Sequence, residues 1–267
     1  MSNKTITIFH NGEELSEKTS LCMKEKLETR GYLVRDRFDD DTDLIVCVGG
    51  DGAFLRAIHR CDFPNCPIVG VNTGHLGFFQ DVLPSDLDQF IEQYESGEYN
   101  LQELNTVRAI VTTVDGHKHP HLGLNEITIK GRRSYSIHLS ISIGDQYIEK
   151  FSGDGLLFAT SAGSTAYNYS VGGSIADPRL NVLQVTPIAP MNTTAYRSFT
   201  SSILLPADLS LGVIPESREN RIYLNNDGFE TPYNNVKSIE VRVSNTSVHL
   251  IRLKGYDFWS KVKDKFL

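Results

Sequence analysis

Leu44-Ile45-Val46-Cys47-Val48-Gly49-Gly50-Asp51-Gly52-Ala53-Phe54-Leu55 is the stretch on which the reading of the fold turns. Leu44 to Val48 is apolar and rich in β-branched residues, which predicts a short buried strand. Gly49, Gly50 and Gly52 then surround Asp51, and Ala53 to Ile58 reads as the start of a helix. Glycine lacks a Cβ, so such a turn bends sharply and lets backbone lie close to a ligand. A strand running straight into a helix also aims free N–H groups and the positive end of the helix dipole at one spot, which suits a phosphate chain. A carboxylate there repels phosphate unless it has a task. Two readings stay open: Asp51 accepts the proton of a hydroxyl that attacks phosphorus, or it caps the helix of a plain β–α connection. The turn is not a Walker A loop, because no Gly-Lys-Ser/Thr follows, and Leu55 stands where the dinucleotide fingerprint has its third glycine.

Around this turn, strands alternate with helices. Thr5 to Phe9 reads as a strand, and Glu14 to Arg30 as an amphipathic helix with Leu21, Met23 and Leu27 on its apolar face, ended by Gly31. Strands near Tyr32 to Val34 and at Ile68 to Val71 follow, with a second helix over Asp86 to Tyr94 carrying Leu87, Phe90 and Ile91. The alternation predicts a mostly parallel sheet, with its ligand at the carboxyl ends of the strands, near Asp51 and Asn72. The character changes near residue 100. Ile137, Leu139, Ile141 and Ile143 alternate with Ser136, His138, Ser140 and Ser142, and Ile239, Val241, Val243, Val248 and Leu250 repeat the period of two. Turn signals at Asp115-Gly116, Gly144-Asp145 and Asp227-Gly228 divide these strands. The expected organisation is therefore an α/β domain over 1–100, an all-β antiparallel domain over 101–255, and a helix over 256–267, from the apolar spacing of Phe258 to Phe266, packing back on the first domain.

One part of the β-rich half departs from its pattern. After a strand at Gly153 to Thr160, the run Ser161 to Ser170 is small and polar, which predicts a helix, and Gly172-Gly173 follows. Small residues let a flat ligand lie against backbone, hydroxyls bind its polar edge, and Tyr167 offers a stacking face; the same composition suits a helix packed tightly on a sheet. Asn125-Glu126 is an amide–carboxylate pair able to grip a base edge and a ribose hydroxyl, though surface turns use these residues too. His117, His119 and His121 alternate around Pro120, open to a metal or to an exposed hairpin. His75 is open to a phosphate contact or to a polar turn.

The composition sets bounds. The chain has 267 residues, with 26 Lys and Arg against 33 Asp and Glu, a net charge of −7. This argues against nucleic acid or an anionic membrane surface as partner. No apolar run reaches the roughly 20 residues of a membrane span. Met1 to Ile6 lacks the apolar segment of a signal peptide, and a cytoplasmic enzyme is expected. Cys22, Cys47, Cys61 and Cys66 form no Cys-x-x-Cys pair and read as reduced, structural thiols.

Taken together and in this order, the motifs resemble those of the NAD kinases, which phosphorylate NAD to NADP. They are Gly49-Gly50-Asp51-Gly52, Gly70-Val71-Asn72-Thr73-Gly74-His75-Leu76-Gly77-Phe78, Leu124-Asn125-Glu126, Gly153-Asp154-Gly155-Leu156, Ser164-Thr165-Ala166-Tyr167-Asn168 with Gly172-Gly173, and Ile188-Ala189-Pro190. The resemblance covers nearly the whole chain. The first motif alone is shared with diacylglycerol and sphingosine kinases and with phosphofructokinases; the middle ones are specific. The resemblance implies a Rossmann-like amino-terminal domain and an all-β carboxyl-terminal one, with NAD taken up by residues of both. It implies that Asp51 faces the adenosine 2′-hydroxyl as proton acceptor, with Gly49, Gly50 and Gly52 forming the phosphate loop. Asn125 and Glu126 hold the adenosine part, Thr165, Ala166, Tyr167, Asn168, Tyr169 and Ser170 continue that pocket, and Asp154 and Ala189 face the nicotinamide half. ATP with magnesium or another divalent cation is the implied donor, polyphosphate an additional one in some bacterial members, and a homodimer or homotetramer the implied assembly; the metal ligands stay unknown. Three positions depart from the family pattern. Ala53 stands where many members have Thr or Ser, Ser152 replaces an Arg, and Ser161-Ala162 replaces Pro-Ser, which bears on affinity and donor choice. The rival readings are a lipid or sugar kinase with the same turn, the −7 charge offering a lipid kinase no membrane-facing basic patch, and a non-catalytic dinucleotide sensor, which has no use for Asp51.

Overall fold

The computed structural model describes residues 4–132, 135–194, 196–216 and 221–266, so residues 1–3 of the opening segment lie outside it. The chain divides into two compact units, 1–104 with 247–267, and 105–246. The first unit begins with β1 (Thr5–His10), α1 (Glu14–Thr29), β2 (Leu33–Arg35), β3 (Thr42–Gly49), α2 (Asp51–Arg60), β4 (Ile68–Asn72), β5 (Gln80–Val82) and α3 (Leu87–Ser96). Strand β1 lies between β2 and β3, β3 pairs with β4 and β4 with β5, all in parallel. Leu44 to Gly49 of β3 are buried throughout, because the strand is covered on both faces. Leu44, Val46 and Val48 pack with Met23 and Leu27 of α1 and with Leu87, Phe90 and Ile91 of α3. Ile45 and Cys47 point the other way, and α2 brings its own buried row, Phe54, Ala57 and Ile58. Each buried Leu, Ile, Val, Phe or Met side chain here contributes on the order of 1.5–3 kcal/mol by leaving water.

Leu21 corrects the expected face of α1. It is 62% exposed, and the buried stripe is Ser16, Thr19, Met23 and Leu27. Leu21 sits about 200° around the helix from Met23, so the apolar spacing misled and two small polar residues complete the stripe.

The second unit is antiparallel. Strand β6 (Tyr99–Thr113) leads in from the first unit, followed by β7 (Lys118–Gly123), β8 (Glu126–Lys130), β9 (Ile137–Ile143), β10 (Gln146–Gly153) and β11 (Gly155–Ala159). After a 3₁₀ turn over Ala162–Thr165 come α4 (Tyr167–Ser170), β12 (Val182–Ile188), β13 (Ile203–Pro206), β14 (Leu211–Pro215), β15 (Ile222–Asn226), β16 (Phe229–Tyr233) and β17 (Val236–Leu253). One sheet runs β13-β12-β11-β8-β15-β16; in the other layer β10-β9-β14-β17 are neighbours, with β6 pairing β17 and β7. Their inner faces share one core, in which Ile137, Leu139 and Ile141 meet Ile127, Ile129, Leu156 and Phe158. The period of two in the sequence is this inward face.

Two expectations change. The run 161–170 is not one helix, because Ala166 at φ −93°, ψ −134° breaks it into the 3₁₀ turn and a single α turn. Residues 247–255, expected in the β-rich half, group with the first unit, because Leu250 of β17 pairs in parallel with Ile68 of β4. The last helix, α5 (Phe258–Phe266), packs on the first unit through Phe258 and Phe266 against Phe78. Among the described residues no helix is long and apolar enough to cross a membrane. The four cysteines are free thiols; burial pushes Cys61 up to about 12 and Cys66 up to about 11 and raises Cys47 as well, so these three are poor nucleophiles.

Candidate active site

The Gly-rich turn closes β3 onto α2. Gly49 has φ +149°, and a Cβ there would lie 2.7 Å from the Ala53 methyl, so no other residue fits without a shift. Gly50 is the residue before the helix, and its carbonyl takes the N–H groups of Ala53 and Phe54 at 2.9 and 3.2 Å. The amides of Asp51 and Gly52 stand in the first turn of α2, where a helix leaves N–H groups for an anion.

The Asp51 carboxylate does not cap the helix. It reaches across to the loop after β4. Oδ1 accepts the N–H groups of Phe78 at 3.0 Å and Phe79 at 3.1 Å, and Oδ2 accepts the Phe78 N–H at 3.1 Å. Gly77 makes the approach fit, since a Cβ there would lie 2.5 Å from Asp51 Oδ1. The Nζ of Lys265, on α5, stands 3.9 Å from Oδ2. The carboxylate is 27% exposed, so it is anchored but open to water or ligand. Oδ2 accepts one backbone N–H where Oδ1 accepts two.

The loop is held from its other side by cations. Lys265 Nζ donates to the Leu76 carbonyl at 2.8 Å, and Lys261 Nζ to the Gly77 and Gln80 carbonyls at 3.2 and 2.8 Å. Arg252 donates to the Phe78 carbonyl at 3.0 Å, and both Arg252 and Lys261 meet the buried Asp81 carboxylate, at 3.0 and 2.5 Å. None of these four side chains was legible as part of the turn. Asn72 folds its own loop, its Oδ1 accepting the Gly74 N–H at 2.9 Å; His75 is exposed.

A second constellation lies within the β-rich unit. Asn125 and Glu126 form the corner into β8, both buried, and Asn125 Oδ1 and Glu126 Oε2 have no hydrogen-bond partner. Burial, followed by the charge of Asp227, pushes the Glu126 carboxyl up to about 8. Glu126, Thr128 and Lys130 share one face of β8 and line an open pocket of about 270 Å³ with Tyr167, Tyr223, Asn225 and Glu230. Lys130 Nζ donates to the Tyr167 hydroxyl at 3.0 Å and lies 4.7 Å from its ring centre. An unpartnered carboxyl oxygen, an aromatic face and a cation in one pocket suit a ligand with hydroxyl donors and a flat base.

The remaining residues expected at the site divide. Thr165 is buried, Ala166 half-buried, and Tyr167, Tyr169 and Ser170 are exposed on α4. Asn168 does not face the pocket. It is fully buried, its amide nitrogen donating to the Ser164 and Ser174 carbonyls at 3.3 Å and its oxygen accepting from Thr186 at 2.7 Å. Its part is to position α4, and Gly173 is needed beside it because a Cβ there would lie 2.2 Å from the amide. Asp154 and Ala189 are exposed together at one end of the β11–β12 pair, where the Asp154 N–H donates to the Ile188 carbonyl at 2.9 Å and Ala189 takes φ +45°. Glu126 pairs with Ala159 at the other end of β11. The two ends are about 13 Å apart, four steps of roughly 3.3 Å.

The departures from the family pattern have local explanations. Ala53 is the residue that Gly49 packs against. Ser152 is buried, and Ser198 Oγ bridges its N–H at 2.8 Å and its carbonyl at 3.0 Å. The Ser161 hydroxyl is committed to the Leu180 carbonyl at 2.6 Å and so does not replace a ligand-facing hydroxyl at 162. Of the three histidines, His119 and His121 both pack on the Tyr233 ring and His121 bonds its hydroxyl at 2.6 Å, while His117 is exposed beside Asp115.

A phosphate turn bearing an open carboxylate, and a pocket for a hydroxylated base, define a small-molecule kinase, and solved kinases share the fold. The yeast NADH kinase complexed with NADH superposes with a TM-score of 0.85 at 19% identity, over 98% of this chain and 86% of that one. An NAD kinase from Archaeoglobus fulgidus in complex with ATP gives 0.78 at 22% identity, over 97% and 98%. In sequence, residues 3–99 match the ATP-NAD kinase N-terminal domain and residues 124–253 the ATP-NAD kinase C-terminal domain. The NAD kinase of Finegoldia magna is 37% identical over all of this chain and 99% of its own length, and NAD kinase 1 of Oceanobacillus iheyensis is 34% identical over 97% of each. The chain belongs to the NAD kinase family.

Proposed function

We propose that the chain transfers the terminal phosphoryl group of ATP to the 2′-hydroxyl of the adenosine ribose of NAD, giving NADP and ADP. The observation that carries this reading is Asp51: a carboxylate fixed at a phosphate turn, with Oδ2 open to receive a proton. As the 2′-oxygen bonds to the terminal phosphorus and the bond to the ADP oxygen breaks, the hydroxyl proton passes to Asp51 Oδ2. Gly49, Gly50 and Gly52 let the donor phosphates approach the amides of the α2 turn. Asn125 Oδ1 and Glu126 Oε2 accept from the adenosine ribose and base, and Tyr167 stacks, with Thr165, Ala166, Tyr169 and Ser170 completing that pocket. Asp154 and Ala189 take the nicotinamide half.

Magnesium or another divalent cation, carried on the ATP phosphates, supplies charge neutralisation; among the described residues no group of three or more His, Cys, Asp or Glu stands together as a ready-made cage, so the donor set suits a cation that brings phosphate ligands with it. A homodimer or homotetramer is the assembly the family resemblance supports, and light scattering measures it. Incubation of the pure protein with NAD, ATP and magnesium tests the reading: NADP accumulates in step with ADP. ADP release without NADP would overturn it.

A further inference from the structure

The corner that carries Asn125 and Glu126 is gripped by two residues outside the family motifs. Asp227 opens the β15–β16 turn, buried and in the left-handed region at φ +51°. Its Oδ2 accepts the Leu124 N–H at 2.6 Å, and its Oδ1 accepts the Asn125 and Glu126 N–H groups at 2.8 and 3.1 Å. Its own N–H donates to the Glu126 carbonyl at 3.2 Å. From the opposite side Thr160 donates its hydroxyl to the Leu124 carbonyl at 2.6 Å and its N–H to the Asn125 carbonyl at 2.9 Å. The Thr160 hydroxyl also accepts the Gly163 N–H at 3.1 Å, and a Cβ on Gly163 would lie 1.9 Å from the Asn125 carbonyl oxygen.

The three N–H groups and three carbonyls of 124–126 are thereby all satisfied by two residues, while the side-chain acceptors Asn125 Oδ1 and Glu126 Oε2 are buried and bare. A backbone saturated this fully cannot turn to relieve those two atoms internally. Glu126 stands on the wall of the pocket, and both atoms stay bare until a ligand supplies donors.

We infer that Asp227 and Thr160 are positioning residues for the dinucleotide: they hold the Asn125–Glu126 acceptors in binding geometry and act on ground-state affinity, not on the chemical step. The inference rests on the proposed role of Asn125 and Glu126. It requires a carboxylate at 227, because three N–H donors converge there. An amide offers one oxygen and sets its own NH₂ against a backbone N–H.

The test uses Asp227→Asn, Thr160→Val, Thr160→Ser and Asn125→Ala in steady-state kinetics, with NAD and ATP varied separately and melting followed by circular dichroism. Asp227→Asn and Thr160→Val should each raise KM for NAD about tenfold or more, the effect of one buried group left unpaired. The kcat and the KM for ATP should move by less than about threefold, the pattern of lost ground-state binding. Thr160→Ser keeps the hydroxyl and restores the wild-type KM. If Asp227→Asn does not fold, the Val and Ser variants at 160 carry the test. A lower melting temperature with an unchanged KM for NAD would reduce both residues to general stability and overturn the inference. Should Asn125→Ala leave the NAD KM unchanged, the reading of the pocket itself fails; should it raise KM while Asp227→Asn and Thr160→Val do not, only the clamp fails.

Discussion

The Asp51 carboxylate anchors the loop after β4 through two N–H bonds to Oδ1 and one to Oδ2, and in the proposed reaction Oδ2 takes the proton. The change Asp51→Asn keeps an oxygen for the loop and removes the base, so kcat should fall by roughly 10²–10⁴-fold while NAD affinity, measured by titration, changes far less. Near-normal turnover in that variant would leave Asp51 as a loop anchor only. Glu126 gives a second prediction. Burial and then Asp227 push its carboxyl from 4.5 to about 8. Between those values the native state binds a proton that the unfolded state has released, so stability falls as pH rises through that window. Melting followed across it should show this slope in the wild type and a flatter one in Glu126→Gln; equal slopes would mean the acid is not held neutral. Asp51 stood out because a carboxylate is anomalous at a phosphate turn, while Asn125, Glu126 and Tyr167 were singled out through the family resemblance of their motifs. Asp227 and Thr160 were not, because an Asp-Gly turn and a strand-end Thr are ordinary, and the backbone groups they hold lie about 100 and 35 positions away. Asn168 was misplaced for a related reason: nothing in a motif of small polar residues tells a buried amide from an exposed one.

At the next scale, α5 shows how much a legible element can hide. Its apolar spacing was readable, and Phe258 and Val262 are its buried row. Its lysines carried no signal in the sequence, yet Lys261 and Lys265 hold the carbonyls of the loop whose N–H groups Asp51 holds. The junction is the Arg252–Asp81–Lys261 group, in which Asp81 and Arg252 are 8% and 6% exposed. A buried carboxylate between two cations stabilises little in itself, but its removal leaves uncompensated charge. Asp81→Asn should therefore cost about 3–5 kcal/mol in urea unfolding, and because the same cations brace the loop, kcat should fall as well. A loss under about 1 kcal/mol would place the group among ordinary surface pairs. The corrected face of α1 belongs here too: apolar spacing alone chose Leu21, and the helix buried Ser16 and Thr19 instead, because small polar residues fit where α1 meets the sheet.

For the whole molecule, the change from alternating strands and helices to continuous period-two strands located two kinds of architecture. It did not reveal that β17, one 18-residue strand, begins in the antiparallel unit and ends in parallel register beside β4. Such pairing joins residues about 180 positions apart, and no local pattern encodes it. The choice of phosphorylated oxygen is a property at the same scale, because the proposed base, Asp51, and the proposed ribose ligands, Asn125 and Glu126, are distant in sequence. NAD carries four ribose hydroxyls of similar acidity, and acid–base chemistry alone does not select one of them. Position selects. In the proposed orientation the two ends of β11, about 13 Å apart, take the adenosine and nicotinamide halves, and this selects the ribose that is presented. In-line attack then distinguishes neighbouring oxygens, since a displacement near 1 Å costs about 10²-fold. The adenosine 2′-hydroxyl should be phosphorylated and the 3′-hydroxyl spared. An NAD analogue lacking the adenosine 2′-hydroxyl should bind, somewhat more weakly for the lost donor, as a competitive inhibitor against NAD, and gain no phosphate when incubated with ATP and magnesium. Phosphate appearing on that analogue, detected by mass spectrometry, would mean that the donor reaches a different oxygen and that the assigned orientation of the dinucleotide is wrong.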